Sequence, residues 1–334
     1  MYAAAIKTSL KRGALITLAN WEVVVIQFVA ESVFKALLVV PVVGAAFLLA
    51  LLVGGGVAEL LGGGLQQALG VAIGSLNAHP WALACYLAGL LVVVVGGSTL
   101  MFHIKGGTVG VLVEAERLAP PVERPPLTIA RVREAAWFSL ARFLDGTDRF
   151  TRRFVRLGLG LLAVYAISGG AYVAAVLSAY RVTGDASWTI AGSMAAAAAS
   201  AAFGVWLTAV NLLYLLLQVL IVRHDWPVRS AARALPGLLA RERRMVGGIF
   251  LVMLALVVLA TLASVLATGA LGFIGFVPVV GLAVLPLQLL AWLARGLVFQ
   301  FLGLSALGAY AHVARQPGTP AITLGPTSRP VATR

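Results

Sequence analysis

Between Asp185 and Arg223 the chain carries no Asp, Glu, Lys or Arg. The core of this run, residues 187–222, is about twice as long as the ~20 apolar residues a membrane-spanning helix needs. It contains no proline and only two glycines, Gly192 and Gly204, so it can form one unbroken helix. Its alanine block, Ala195–Ala199, puts small residues on every side of the first half, which predicts close crowding by other helices. A helix that long and uncharged has to find an apolar solvent. Composition agrees: hydrophobic residues make up 61% and charged residues 11%, against about 25% charged in an ordinary soluble domain. The expected fold class is all-α, a polytopic transmembrane helical bundle of about six spans, filling residues 1–314.

The other spans are expected at 37–53, 81–102, 157–180, 246–268 and 276–294. Met245 to Ala294 carries no formal charge, and Gly269, Gly272 and Gly275 mark the turn between the last two spans. Residues 1–20 carry Lys7, Lys11 and Arg12 ahead of an apolar stretch too long for a cleaved signal, which predicts an uncleaved cytoplasmic start. Residues 54–80, with two glycine triplets, are expected as an outer loop with a short surface helix. No Lys-Ser or Lys-Thr follows the triplets, so they are not phosphate loops. Residues 106–126 read as a linker, because Pro120, Pro121, Pro125 and Pro126 crowd its end. Residues 181–186 read as an external turn, and 315–334 as a disordered cytoplasmic tail rich in Pro, Gly and Thr.

Amphipathic helices are expected at 21–35, 128–156, 226–244 and 296–313. In 128–156, Ile129, Val132, Ala136, Leu140, Phe143 and Phe150 share a face, with Gly146 marking a bend. In 226–244, Asp225 reads as the helix cap and Pro236-Gly237 as a break. Such basic helices suit an anionic leaflet. The candidate lipid contacts are Arg131, Arg142, Arg149, Arg152, Arg153 and Arg156 in the first, and Arg229, Arg233, Arg241, Arg243 and Arg244 in the second.

The net charge of +13 invites a nucleic-acid reading, but the placement of the charges opposes it. Of the 25 lysines and arginines, 22 fall in residues 1–20, 103–156, 223–244 and 315–334. With six spans and both termini inside, only Arg181 lies in an outer loop, which is the asymmetry that orients membrane proteins. The expected location is a bacterial inner (plasma) membrane, with anionic lipid headgroups as partners and a membrane protein or a second copy as a further possible one. No nucleic acid is expected.

A repeat is also visible. A span, a basic segment and a returning span occupy 81–180, and again 187–268, which would make parallel repeats. The paired patterns Arg131-Val-Arg133-Glu-Ala-Ala and Arg229-Ser-Ala-Ala-Arg233-Ala mark the two copies. On these features residues 81–268 resemble bacterial multi-pass membrane proteins, including the membrane domain fused to some glycerophosphodiesterases. The resemblance implies an architecture and no activity, and no phosphodiesterase catalytic domain is present.

Signs of chemistry are sparse. His79, His103, His224 and His312 are scattered, and no H-E-x-x-H or G-x-S-x-G occurs. Asp145-Gly146-Thr147-Asp148-Arg149 matches only the opening of the alcohol phosphotransferase motif of phospholipid synthesis, without its Ala-Arg and later aspartates. No cofactor or metal is expected. Cys85, alone in an apolar run, reads as core filler. The candidate functional charges are those set within or beside apolar sequence: Glu31, Lys35, Arg295, His103 and Lys105. Gln27, Glu31 and Lys35, four apart, share a helix face that either lies toward water or enters the bundle. Arg295 either marks the cytoplasmic boundary, with 296–313 as an interfacial helix, or lies inside, paired with Glu31. Three functions stay open: a non-catalytic scaffold or subunit that organises lipid or a partner at the cytoplasmic leaflet, a transporter or permease subunit, and a membrane enzyme.

Overall fold

The computed structural model describes residues 2–53, 74, 78–182, 189–275 and 278–315, and every element among them is a helix. α1 (Tyr2–Ala19) and α2 (Trp21–Val53) are parted only by Asn20. α3 (Pro80–Leu118) starts on a proline, whose fixed φ suits the first turn, and stops where Ala119 turns extended ahead of Pro120. The short α4 (Ile129–Glu134) is capped by Thr128, whose hydroxyl accepts from the Arg131 amide. α5 (Leu140–Val182) begins after Ser139, whose hydroxyl accepts from the Arg142 amide. α6 (Thr189–His224) ends at Asp225, which has a left-handed φ of 53°. There the Trp226 amide donates to the Ile221 carbonyl, the six-to-one bond of a Schellman ending. α7 (Val228–Gly275) and α8 (Pro278–Val313) complete the described chain.

Six of the eight, namely α2, α3, α5, α6, α7 and α8, are long and apolar enough to cross a membrane. The molecule is a polytopic transmembrane helical bundle. Its helices overshoot a bilayer: 36 residues of α8 rise about 54 Å against a ~30 Å hydrocarbon core. The excess gathers at one end. There Ile16, Leu112, Phe154, Leu220, Ile249 and Ala311 are buried in a single core built from α1, α3, α5, α6, α7 and α8. In the opposite half, Val92, Ile167, Val205, Leu259 and Leu290 stand exposed on their helices.

Close approaches of small residues build the packed end. Gly13 of α1 crosses α8 so tightly that a β-carbon there would lie 2.6 Å from the Ala309 nitrogen and against the Ser305 carbonyl. On α3, Gly107 lies against Phe143 and Thr147 of α5, and a β-carbon on Gly146 would meet the Gly107 Cα at 3.4 Å. This is the small-residue packing of membrane helices.

Several helix bounds differ from the sequence expectations. The expected linker at 106–126 is helical as far as Leu118, because the prolines act only from Pro120 onward. The single amphipathic helix expected over 128–156 is two helices with a break at 135–139, and Gly146 makes a helix contact rather than a bend. The break shifts the phase, so Ile129 and Leu140 are exposed while Phe143 and Phe150 are buried against α3. That apolar face is therefore covered by protein. Residues 226–244 run on into the following apolar stretch as α7, and Pro236-Gly237 does not break it; the non-helical residue is Glu242. Residues 296–313 are the continuation of α8, buried from Leu304 onward, and not a separate interfacial helix. The first half of α6 is largely exposed rather than crowded on all sides, with its burial concentrated from Val210 to Ile221. Cys85 is exposed, not core. The expectations for residues 54–73 and 75–77, the turn at 183–186, the span start at Phe276 and the tail at 316–334 lie outside the described residues.

Candidate functional site

Two polar clusters are built into the bundle, one in the packed end and one nearer the apolar half. The first grows from α3. Val109, Leu112, Val113 and Glu116 recur at helical spacing and all are buried, Glu116 completely. Its Oε1 accepts from the Arg12 Nε at 3.2 Å, with the His312 Nδ1 at 3.0 Å and the Arg315 guanidinium at 3.7 Å. Its Oε2 accepts from Arg223 at 3.2 Å. Arg12 uses all five donors. Beyond Glu116 they reach the Glu123 carboxylate at 2.9 Å and the carbonyls of Glu116, Ala119 and Pro120 at 2.9–3.0 Å. Those carbonyls close the C-terminal end of α3, where helix acceptors lack backbone partners. For Glu123, burial alone would push the carboxyl up, but the hydrogen bonds and the Arg12 charge hold it below the usual carboxylate range. With its charges and donors satisfied, this cluster is a clamp. It ties the ends of α1, α3, α6 and α8 to one point.

Asn20 supplies a second clamp. Its Oδ1 accepts from the amides of Trp137 and Phe138 at 2.7 and 2.9 Å, and its Nδ2 donates to the carbonyls of Ile16 and Ala135. The break between α4 and α5 is thus held against the break between α1 and α2.

The second cluster has a different character. Glu31 of α2 pairs with Lys35 at 2.6 Å, and the Gln300 amide of α8 donates to its other oxygen. One turn back, Gln27 is buried and accepts from the Thr108 hydroxyl of α3. The Gln27–Glu31–Lys35 stripe therefore runs from the bundle outward, with Gln27 buried, Glu31 half-buried and Lys35 exposed. Two cavities meet at Glu31 and Lys35. One, of about 500 Å³, adds Trp292, Arg295 and Gln300 of α8 and Thr261 of α7. The other, of about 540 Å³, adds Phe34, Val94, Leu161 and other apolar groups, with Lys105 and Tyr165. Arg295 stacks on Phe299 and Lys105 on Tyr214, and neither forms an ion pair among the described residues.

Four of the five candidate charges thus line adjoining cavities: Glu31, Lys35, Lys105 and Arg295. The expected alternative of a Glu31–Arg295 pair is not what forms, since Lys35 and Gln300 take the carboxylate. His103 lies elsewhere, bonded to Thr151 of α5 at 2.5 Å. The basic candidates divide. Arg149 and Arg153 pair with Asp225, so that aspartate bridges to α5 instead of capping α7. Burial alone would raise the Asp225 carboxyl; the hydrogen bonds and charges of Arg153 and Arg149 hold it low. Arg142 stacks on Trp137, Arg131 donates to the carbonyls of Arg124 and Pro125, Arg241 stands 3.9 Å from Glu242, and Arg244 lies over Tyr2. Arg152, Arg156, Arg229, Arg233 and Arg243 are exposed and unpaired among the described residues.

Glu116, Asn20 and Gln300 escaped the sequence analysis. For Glu116 a signal existed, because it continues the apolar stripe of Val109, Leu112 and Val113. For Asn20 there was none, since three of its four partners lie more than a hundred residues away. Comparison of the chain with protein-family models, with curated proteins and with solved structures returns no match.

Proposed function

We propose that this protein is a non-catalytic scaffold or subunit that organises lipid at the cytoplasmic leaflet of a bacterial inner membrane, with its packed end and both chain termini on that side. One observation carries the reading. The packed end buries a core of its own while Ile129, Leu140 and Leu144 stay exposed on its surface, and beside them five exposed arginines, Arg152, Arg156, Arg229, Arg233 and Arg243, lack protein partners among the described residues. Arginines at that level attract anionic headgroups. The placement of Arg12, Arg223, His312 and Arg315 around one carboxylate supports putting the two described ends of the chain on the same side.

The test is lipid selectivity in reconstituted bilayers. Quenching of tryptophan fluorescence by brominated phosphatidylglycerol should exceed quenching by brominated phosphatidylcholine. The preference should fade at about 1 M salt, where screening acts over about 3 Å. Changing the five arginines to Gln should remove this salt-sensitive part; unchanged selectivity would reject the reading. An alkaline phosphatase fusion after Arg315 should be inactive. The charged crevice at Glu31 favours a second reading, a transporter subunit. Uptake of a soluble solute into vesicles, lost in Glu31→Gln, would establish that reading instead.

A further inference from the structure

We infer that the two cavities adjoining at Glu31 and Lys35, one lined by α2, α7 and α8 and the other by α2, α3 and α5, together form a binding site for one anionic phospholipid taken from the bilayer. Glu31 is already satisfied, by Lys35 at 2.6 Å and by the Gln300 amide. Arg295 has only an aromatic face among the described residues, Phe299 at 5.7 Å, while Lys105 lies over Tyr214 at 5.2 Å and feels the Glu31 charge across the cavity they share. A guanidinium without a counter-ion among the described residues in the apolar part of a membrane protein is costly and marks a site by default, and the carboxylate that acts on Lys105 is already held by Lys35 and Gln300. A phosphodiester beside Arg295 supplies the missing charge, since its oxygens accept from a guanidinium, and Lys105 adds positive charge from the adjoining cavity.

Shape adds the rest of the ligand. The two cavities share Glu31 and Lys35, so a headgroup beside Arg295 continues directly into the apolar groove along Phe34, Val94 and Leu161. Each cavity falls within the range of small-ligand sites, about 300–1,000 Å³. The neighbouring Leu91 and Val92 are exposed on the lipid-facing side of α3, so acyl chains can enter laterally. A zwitterionic lipid fits worse, because its own cation would meet Lys35 and Arg295 with only Glu31 to offset them. The inference rests on the chain lying in a bilayer, as the proposed function also does, but not on the arginines of the packed end.

The experiment uses the full chain in nanodiscs of equal phosphatidylglycerol and phosphatidylcholine, released into detergent at high salt and weighed by native mass spectrometry. One phosphatidylglycerol per chain should survive release. In Lys105→Gln with Arg295→Gln the retained fraction should fall about tenfold for each charge removed, while Lys105→Arg with Arg295→Lys keeps most of it. Val94→Trp leaves every charge in place and plugs the apolar groove, so it should also expel the lipid; this arm decides the matter if the double glutamine variant does not fold. Retention of both lipids equally, or full retention in Val94→Trp, overturns the inference. Changing the five exposed arginines to Gln should leave the retained lipid untouched. Loss there would overturn the crevice site and leave the proposed function standing.

Discussion

The packed end and the apolar half are made from the same helices by opposite rules. At the packed end, helices from distant parts of the chain meet through glycines, and a fully buried carboxylate is ringed by Arg12, Arg223, His312 and Arg315. In the apolar half, α5 and α6 are joined by a sparse ladder: Tyr165 to Asn211, Trp206 to Ser168, and Tyr172 to Ser200. Around that ladder the side chains face outward, as on Val205 and Leu259. The difference follows from the solvent. Where lipid surrounds a helix, an exposed leucine costs nothing and helices have little reason to crowd. Where water surrounds it, apolar faces must be covered and charges arranged. The packed end therefore holds the fold together, while the apolar half is free to be shaped by what it contacts.

The sharpest way to break this contrast is Glu116→Ala. It takes the shared carboxylate from Arg12, Arg223 and His312 at a buried site, leaving Arg12 only the Glu123 carboxylate, and should cost about 3–5 kcal/mol, read as a loss of thermal stability in detergent. Leu259→Ala in the apolar half should stay within about 0.5 kcal/mol. Equal losses would mean that stability is spread evenly after all. Next in size is Gly13→Ala, whose β-carbon has no room beside Ser305 and Ala309; overpacking of this kind costs about 1–3 kcal/mol. Its counterpart, Gly269→Ala, meets nothing within 4 Å and should be neutral or stabilising by up to about 1 kcal/mol. Smaller still is Trp206→Phe, which removes the donor to Ser168. Hydrogen bonds between membrane helices average about 0.6 kcal/mol, and a loss near that of Glu116→Ala would erase the distinction. The smallest effect is on pH. The Glu123 carboxyl is held low in the folded state, so its stabilisation is complete above its unfolded value, near 4.3, and is lost as pH falls through the lower folded value. Unfolding followed across acidic pH should show a shallower decline in Glu123→Gln.

The two regions were not equally legible in the sequence. The apolar half announced itself, because an uncharged run such as 187–222 has few ways to fold. The long apolar helices were clear, helix ends were not, and α1, expected only as a charged cytoplasmic start, was missed. Pro120 stopped α3 but Pro236 did not stop α7, since a helix can lose one hydrogen bond and continue when its neighbours hold it. The cavities were half legible: Glu31, Lys35, Lys105 and Arg295 stood out as charges in apolar sequence, but their placement in two adjoining cavities depends on how α2 packs against α3 and α5 on one side and α7 and α8 on the other. Gln300, a neutral group in an apolar run, gave no sign of its bond to Glu31. The packed end was the least legible. Arg12 reads as one more positive charge before a span, and its role comes from Glu116, Glu123 and three carbonyls far along the chain.

The crossing of Gly13 over Ser305 and Ala309 sets an order in time. The seat for α1 does not exist until α8 has been made. Gly13 and Gly308 are 295 positions apart, so at about 5–20 residues per second roughly 15–60 s separate their synthesis. Through that interval α1 waits with its glycine face unmatched, although every partner of Arg12 is made by residue 123, and the ring around Glu116 stays open until His312 and Arg315 arrive. A chain stopped at Arg295 should leave α1 unseated, and limited proteolysis within residues 2–19 would read that directly; protection equal to that of the full chain would show α1 docking without α8. The first helix to be made is in this way the last to settle, and the polar end closes only when the chain's beginning meets its final helix.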